Sequence, residues 1–262
     1  MSKDYFSDFP LAKEIWEKKY KDVEDDTIKD TWSRVSNAVA SVEDDKGQIA
    51  IEFYSILEDF LFIPGGRITN GAGTKNNYLL NCATIPLKDS LSGIYDSLKR
   101  TAILAKCNYG TGFNPSVLRP KDAALSNGGT SSGVVSFLKV FDASAEVIKT
   151  GGSTRRSANI SIVRCDHPEI FEYIDAKREE GVLTNFNISV GITNHFIKCV
   201  KEDLDFDLVF KGKVYKTIKA RELWDKICYS GWMYNDPGII NLDELQYWNP
   251  LFYKEVLDSV NP

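Results

Sequence analysis

Three glycine-rich loops and five cysteines are the groups in this 262-residue chain whose types and spacing suit chemistry. The first loop runs from Gly65-Gly66-Arg67 to Gly73. The second is Ser126-Asn127-Gly128-Gly129-Thr130-Ser131-Ser132-Gly133, and the third is Gly151-Gly152-Ser153-Thr154-Arg155-Arg156-Ser157. Of the 18 glycines, 12 lie between Gly65 and Gly152, so the clustering is a property of one third of the chain. Glycine lets backbone N–H groups approach an anion closely, and a helix N-terminus favours negative charge. Arg155 and Arg156 add donors suited to bidentate phosphate contacts. No Gly-x-x-x-x-Gly-Lys-Ser/Thr loop occurs, and Gly110-Thr111-Gly112 lacks the third glycine of a dinucleotide fingerprint. On chemistry alone, phosphate cradles and flexible surface turns are equal readings.

The cysteines, Cys82, Cys107, Cys165, Cys199 and Cys228, are odd in number, widely spaced and without a Cys-x-x-Cys pair. That usage suits a reducing compartment. Cys82 lies inside the apolar run Tyr78 to Ile85, where a buried structural thiol is the usual role. A redox role needs a second thiol, which spacing does not identify. With His167 and His195 alone, a His-rich zinc site is not expected. His167 reads as a helix-start contact, His195 as a surface residue, and Lys211 and Lys213 as solvated charges. The balance of 32 Lys+Arg against 37 Asp+Glu gives −5, which weighs against a nucleic-acid polymer as partner. No run approaches the roughly 18 apolar residues of a membrane span. The N-terminus lacks a secretory core, so a cytoplasmic protein without membrane partners is expected.

These groups need elements to hold them. Pro10, the Asp26-Thr27 cap and a stripe of Ile49, Phe53, Ile56, Leu57 and Phe60 predict three helices over about 10–60. Beyond residue 78, apolar runs alternate with helical stretches. Strands are predicted at 78–85, 111–114, 159–163, 183–191 and 238–242. Helices are predicted at 92–106, 133–149, 168–177 (capped by Asp166) and 221–229, with an added hairpin over 203–214. Such alternation predicts an α/β fold with a largely parallel sheet or barrel.

The motifs together resemble the large catalytic subunit of ribonucleotide reductases, most closely the adenosylcobalamin-dependent class II branch. They are Pro64-Gly65-Gly66-Arg67 to Gly71-Ala72-Gly73-Thr74, Asn81-Cys82, Asp89-Ser90-Leu91, and Gly110-Thr111-Gly112-Phe113-Asn114-Pro115 to Arg119-Pro120. Ile148 to Gly152, Arg155 to Asn159, Asp166-His167-Pro168, Leu183 to Val190 and Asp236 to Ile240 follow in family order. The resemblance implies a helical domain over 1–62 and, over 63–262, the first five-stranded half of a ten-stranded barrel. It implies that Cys82 is one of the pair oxidised to a disulfide as the ribose 2′-hydroxyl leaves. Gly65, Gly66, Asn81 and Gly110 would line the substrate. Asp89, Ser90, Leu91, Arg119, Asn127, Arg155 and Arg156 would hold an allosteric dNTP or ATP effector, the last three from two specificity loops. No metal ligand is implied, and no room is expected for an N-terminal ATP-cone.

Asn261 matches the asparagine of the family's Asn-x-Cys-x-Glu finger-loop motif, and the sequence stops before the radical cysteine. The expectation is therefore an N-terminal portion, inactive until joined to a C-terminal portion. An intein junction, a split gene and a cut fragment all fit. The implied partners are that C-terminal portion, a ribonucleotide, a dNTP effector, a thioredoxin-like reductant and a second copy in a homodimer, with adenosylcobalamin as cofactor. A regulatory dNTP-binding module, or a class I subunit served by a separate radical-generating protein, are the alternatives.

Overall fold

The computed structural model describes residues 5–75, 77–126, 128–148 and 158–262. Two compact units divide between Asn81 and Cys82.

The first unit is helical. Pro10 opens α1 (Pro10–Lys19), where its missing N–H costs nothing. At the start of α2 (Ile28–Ala40), the Asp30 carboxylate accepts from the Thr27 backbone N–H at 2.7 Å and from its hydroxyl at 2.8 Å. Trp16, Ile28, Trp32, Val35 and Leu57 form the core, with Tyr5 edge-on to Trp32 at 4.9 Å. α3 (Lys46–Leu57) ends before Phe60, because Asp59 and Phe60 turn to positive φ in a 3₁₀ turn. The apolar stripe predicted for it is corrected too. Ala50 and Leu57 are its buried residues, while Ile56 and Phe60 are exposed. The helix is apolar on more than one face, so spacing alone did not select the inner one. A buried polar chain crosses this core. Trp16 Nε1 donates to Thr31 Oγ1 at 3.0 Å, Thr31 donates to Asp25 at 2.7 Å, and Arg34 pairs with Asp25 at 2.9 Å. Burial raises the Asp25 carboxyl, but hydrogen bonds from Arg34, the Asp22 backbone and Thr31 outweigh it and hold it low. A short helix, α4 (Gly66–Gly71), follows where a loop was expected.

The second unit alternates strand and helix: β1 (Cys82–Thr84), α5 (Leu91–Lys106), β2 (Gly110–Phe113), α6 (Val134–Val147), β3 (Asn159–Arg164), α7 (Ile170–Ile174) and β4 (Phe186–Ile192). Then come α8 (Asn194–Lys201), the hairpin strands β5 (Asp205–Phe210) and β6 (Lys213–Lys219), α9 (Ala220–Tyr234), β7 (Gly238–Asn241) and α10 (Leu242–Tyr247). The five strands β1-β2-β3-β4-β7 lie in that order and pair in parallel, so the connections are crossovers. The sheet is open, with β1 and β7 at its edges, as in an incomplete α/β barrel. On its core side Phe113 meets Phe141 edge-on at 5.0 Å and lies tilted against Phe186 at 6.0 Å. β5 and β6 pair antiparallel outside this sheet.

Two boundaries are corrected. The strand predicted over 78–85 is reduced to Cys82–Thr84, because an edge strand pairs on one side only and β2 offers it three partners. The helix predicted over 168–177 is Ile170–Ile174 with Glu169 at its N-cap position. Asp166 does not cap it, since its carboxylate is taken by Arg164 at 2.6 and 3.0 Å.

Among the described residues, no helix is long and apolar enough to cross a membrane. Nor do three or more His, Cys, Asp or Glu gather there to hold a metal ion.

Candidate functional site

Parallel neighbours in register point their side chains to the same side of a sheet. Cys82 pairs with Gly110 across β1–β2, and Gly112 pairs with Ile160 across β2–β3. A Cβ added at Gly110 would lie 3.3 Å from Cys82 Sγ and 2.6 Å from Pro262 Cγ. One added at Gly112 would collide with the Val260 carbonyl. Glycine is thus required by close approach, and the segment 260–262 lies on the sheet beside Cys82. The Pro262 carbonyl is 4.0 Å from Cys82 Sγ. The Asn261 side chain itself is exposed.

All five cysteines are free thiols. The buried, inert thiol expected for Cys82 is found instead at Cys165, which is fully buried and whose pKa burial pushes up to about 12. Cys82 opens its strand rather than sitting in its middle and is half-buried, beside the glycine-lined face and residues 260–262.

A second site forms at the start of α5. Asp89, Ser90, Leu91 and Arg119, separated by up to 30 residues, line one cavity of about 530 Å³ together with Ser131 and Phe137. Ser90 caps α5 by accepting from Gly93 N–H at 3.1 Å, which leaves the helix N-terminus at the cavity edge. Arg119 donates to Asp89 Oδ1 from its backbone N–H at 3.1 Å and from Nε at 3.0 Å. Lys211 Nζ holds Oδ2 at 2.7 Å. Burial raises the Asp89 carboxyl, but the hydrogen bonds from Arg119 and Lys211 overcome this and keep it below the usual carboxylate range. Two cations on one carboxylate leave the cluster at +1, favourable to an anion.

Leu125, Ser126, Thr130, Ser131 and Ser132, from either side of residue 127, also line this cavity. Asp122 N–H donates to the Ser131 carbonyl and Ser131 N–H to the Ala123 carbonyl, both at 2.9 Å. Glu169 clamps both ends of this stretch, accepting from Lys121 N–H at 2.9 Å and from Val134 N–H at 2.9 and 3.1 Å. Gly133 has φ +86, and a Cβ there would strike the Glu169 carboxylate, so only glycine fits. Glu169 carries no sequence signal beyond its place after His167-Pro168. Burial pushes its carboxyl above the usual carboxylate range, against the opposing backbone hydrogen bonds from Val134 and Lys121. A carboxyl raised in the folded state contributes stability that is fully present below its unfolded pKa, about 4.3 for Glu, and lost as pH rises through the folded value. The wild type is therefore expected to lose melting temperature relative to Glu169→Gln as pH rises from about 4 to about 7. Parallel melting curves across that range would contradict the assignment.

Of the other residues singled out in the sequence, Asn127, Arg155 and Arg156 lie outside the described residues. Gly65, Gly66 and Asn81 belong to the first unit. There Gly65 caps α4, Gly66 lies against Tyr20, and Asn81 is exposed. His167 is the helix-start contact expected: it is buried, its Nδ1 accepts from Glu169 N–H at 3.2 Å, and its Nε2 lies 3.0 Å from the Leu118 carbonyl. Lys211, read from the sequence as a solvated charge, is a partner of Asp89.

Family models for the ribonucleotide reductase all-alpha domain and barrel domain match residues 8–77 and 80–262. The chain belongs to the ribonucleotide reductase large-subunit family. It is 40% identical over 243 residues to a vitamin B12-dependent ribonucleoside-diphosphate reductase of Thermoplasma acidophilum, covering 91% of this chain and 32% of that protein. It is 34% identical over 238 residues to an enzyme of the same name from Mycobacterium tuberculosis, covering 87% and 34%. A vitamin B12-dependent ribonucleotide reductase of Streptomyces avermitilis is 32% identical over 206 residues, covering 69% and 21%. The chain thus spans about a third of the length of the first two relatives and about a fifth of the third.

Proposed function

We propose that this chain contributes the effector pocket and one redox thiol of an adenosylcobalamin-dependent ribonucleotide reductase. The observation that carries the proposal is the gathering of Asp89, Ser90, Leu91 and Arg119 around one cavity, on the same sheet unit that sets Cys82 against Gly110 and residues 260–262. In this reading Cys82 and a second thiol, supplied by the rest of the reductase, give up two electrons and two protons. The ribose C2′–OH bond breaks, water leaves, a C2′–H bond forms and a disulfide closes. Glycine at 110 and 112 keeps the face beside Cys82 thin enough for a second segment, residues 260–262, to lie against it. A thioredoxin-like dithiol then reopens the disulfide. Asp89 is suited to a nucleotide hydroxyl, and Arg119 and the α5 N-terminus to its phosphates.

The relatives described above are named for their dependence on vitamin B12, and in this reading cobalamin would supply the radical. The described residues around Cys82 are glycine backbone and the 260–262 segment. The test is deoxynucleotide formation from ribonucleoside di- and triphosphates with adenosylcobalamin, a dithiol and a dNTP. The full-length protein is expected to turn over and residues 1–262 alone are not. Turnover by 1–262 alone would overturn the reading. Tight dNTP binding with no turnover in the full-length protein would favour a regulatory module instead.

A further inference from the structure

The β5–β6 hairpin stands outside the five-stranded sheet, yet the lysine at its tip reaches Asp89, one of the residues that line the proposed effector pocket. Phe210 and Lys213 face each other across a two-residue turn, Lys211-Gly212, in which both residues have positive φ, +48 and +78. Asn, Asp and Gly favour the first position of such a turn, so a lysine there is not chosen for its backbone. Its side chain is 65% exposed, while the Asp89 side chain it holds is only 14% exposed.

The tip is also fixed in place. Val209 N–H donates to the Asp166 carbonyl at 2.6 Å, and the Phe210 ring meets His167 edge-on at 5.9 Å. His167 Nε2 in turn contacts the Leu118 carbonyl, one residue before Arg119. The hairpin is therefore tied to the segment that carries the pocket's arginine, and Lys211 Nζ also lies 5.2 Å from the Phe210 ring. A lysine merely wandering in solvent would have no such anchorage.

We propose that Lys211 is an effector-binding residue delivered by the hairpin tip: its ammonium, paired with Asp89, moves to the anionic phosphates of a nucleoside triphosphate when one binds. This rests on the effector-pocket reading above. A bound nucleotide hydroxyl that engages Asp89 frees the ammonium, and the flexible side chain of Lys211 can follow the phosphates while the hairpin backbone stays in place. Arg119 keeps its backbone and side-chain bonds to Asp89, so the pocket does not fall apart when Lys211 leaves.

Equilibrium binding of dATP and dTTP to the full-length protein tests it, with Lys211→Ala, Lys211→Arg and Lys211→Glu beside wild type. Loss of a charge-assisted contact is expected to raise the Kd of Lys211→Ala by about tenfold or more, with a larger loss in Lys211→Glu. Lys211→Arg, which keeps the charge, should stay near wild type. If wild type binds and Lys211→Ala binds equally well, the inference falls and the effector pocket stands. If Lys211→Arg fails as badly as Lys211→Ala, the residue acts through its shape, and the inference also falls. If wild type binds neither nucleotide, the pocket reading falls and takes the inference with it.

Discussion

Cys82→Ser is expected to abolish deoxynucleotide formation by the full-length reductase while leaving dNTP binding intact. The thiol is half-buried at the start of an edge strand, within reach of the glycine-lined face. A serine of nearly the same size fits that position, but its hydroxyl cannot give up electrons to form a disulfide. The loss should be on the order of 10³-fold or more, the scale seen when an essential reacting group is removed. Cys165→Ser is the contrasting case. That thiol is fully buried and inert, so its change should act through packing, lowering stability and leaving the chemistry of the folded fraction unaltered. Equal activity of Cys82→Ser and wild type would remove Cys82 from the reaction. Loss of dNTP binding in the same variant would point to a folding defect instead.

The second large effect is expected at Gly112. Its Cβ would collide with the Val260 backbone carbonyl and lie 3.2 Å from Ile160 Cγ2. Backbone cannot rotate away as a long side chain does, so the 260–262 segment must lift off the sheet. Overpacking of this kind costs roughly 1–3 kcal/mol of stability. The larger consequence is positional, because a misplacement of about 1 Å near reacting groups can cost on the order of 10²-fold in rate. Gly112→Ala should thus lose turnover far beyond its change in melting temperature, and residues 255–262 should become more sensitive to protease. Gly47→Ala, with nothing within 4 Å of the added carbon, is the matched control and should be neutral or slightly stabilising. A fully active Gly112→Ala would contradict the close approach of this segment to β2.

Much of the second unit was legible because its strands are short apolar runs set between amphipathic helices, and parallel crossovers leave few ways to arrange them. The five strands and the hairpin were read from that pattern. Asp89, Ser90, Leu91 and Arg119 were singled out through the family resemblance of their strings, and the fold brings the four around one cavity. What escaped has physical reasons. α4 and α10 are six residues long, too short to show a period. The inner face of α3 was misjudged because apolar residues surround it. Lys211 and Asp89 are 122 residues apart, and nothing in either neighbourhood predicts that the hairpin tip ends on that carboxylate. The approach of Pro262 to Cys82 spans 180 residues and becomes visible only once β1 and β2 are paired. Glu169 looked like a helix residue, whereas its carboxylate closes a loop more than 30 residues earlier in the chain.

The central claim is that Cys82 is one of two thiols that reduce the ribose. Its most direct test is a single turnover of the full-length protein with adenosylcobalamin, a dNTP and one equivalent of ribonucleotide, without external reductant, followed by mass-spectrometric mapping of every thiol. The expected result is deoxynucleotide matched by a disulfide that contains Cys82, with Cys165 and Cys199 still reduced. Deoxynucleotide formed while Cys82 remains a free thiol would contradict the account.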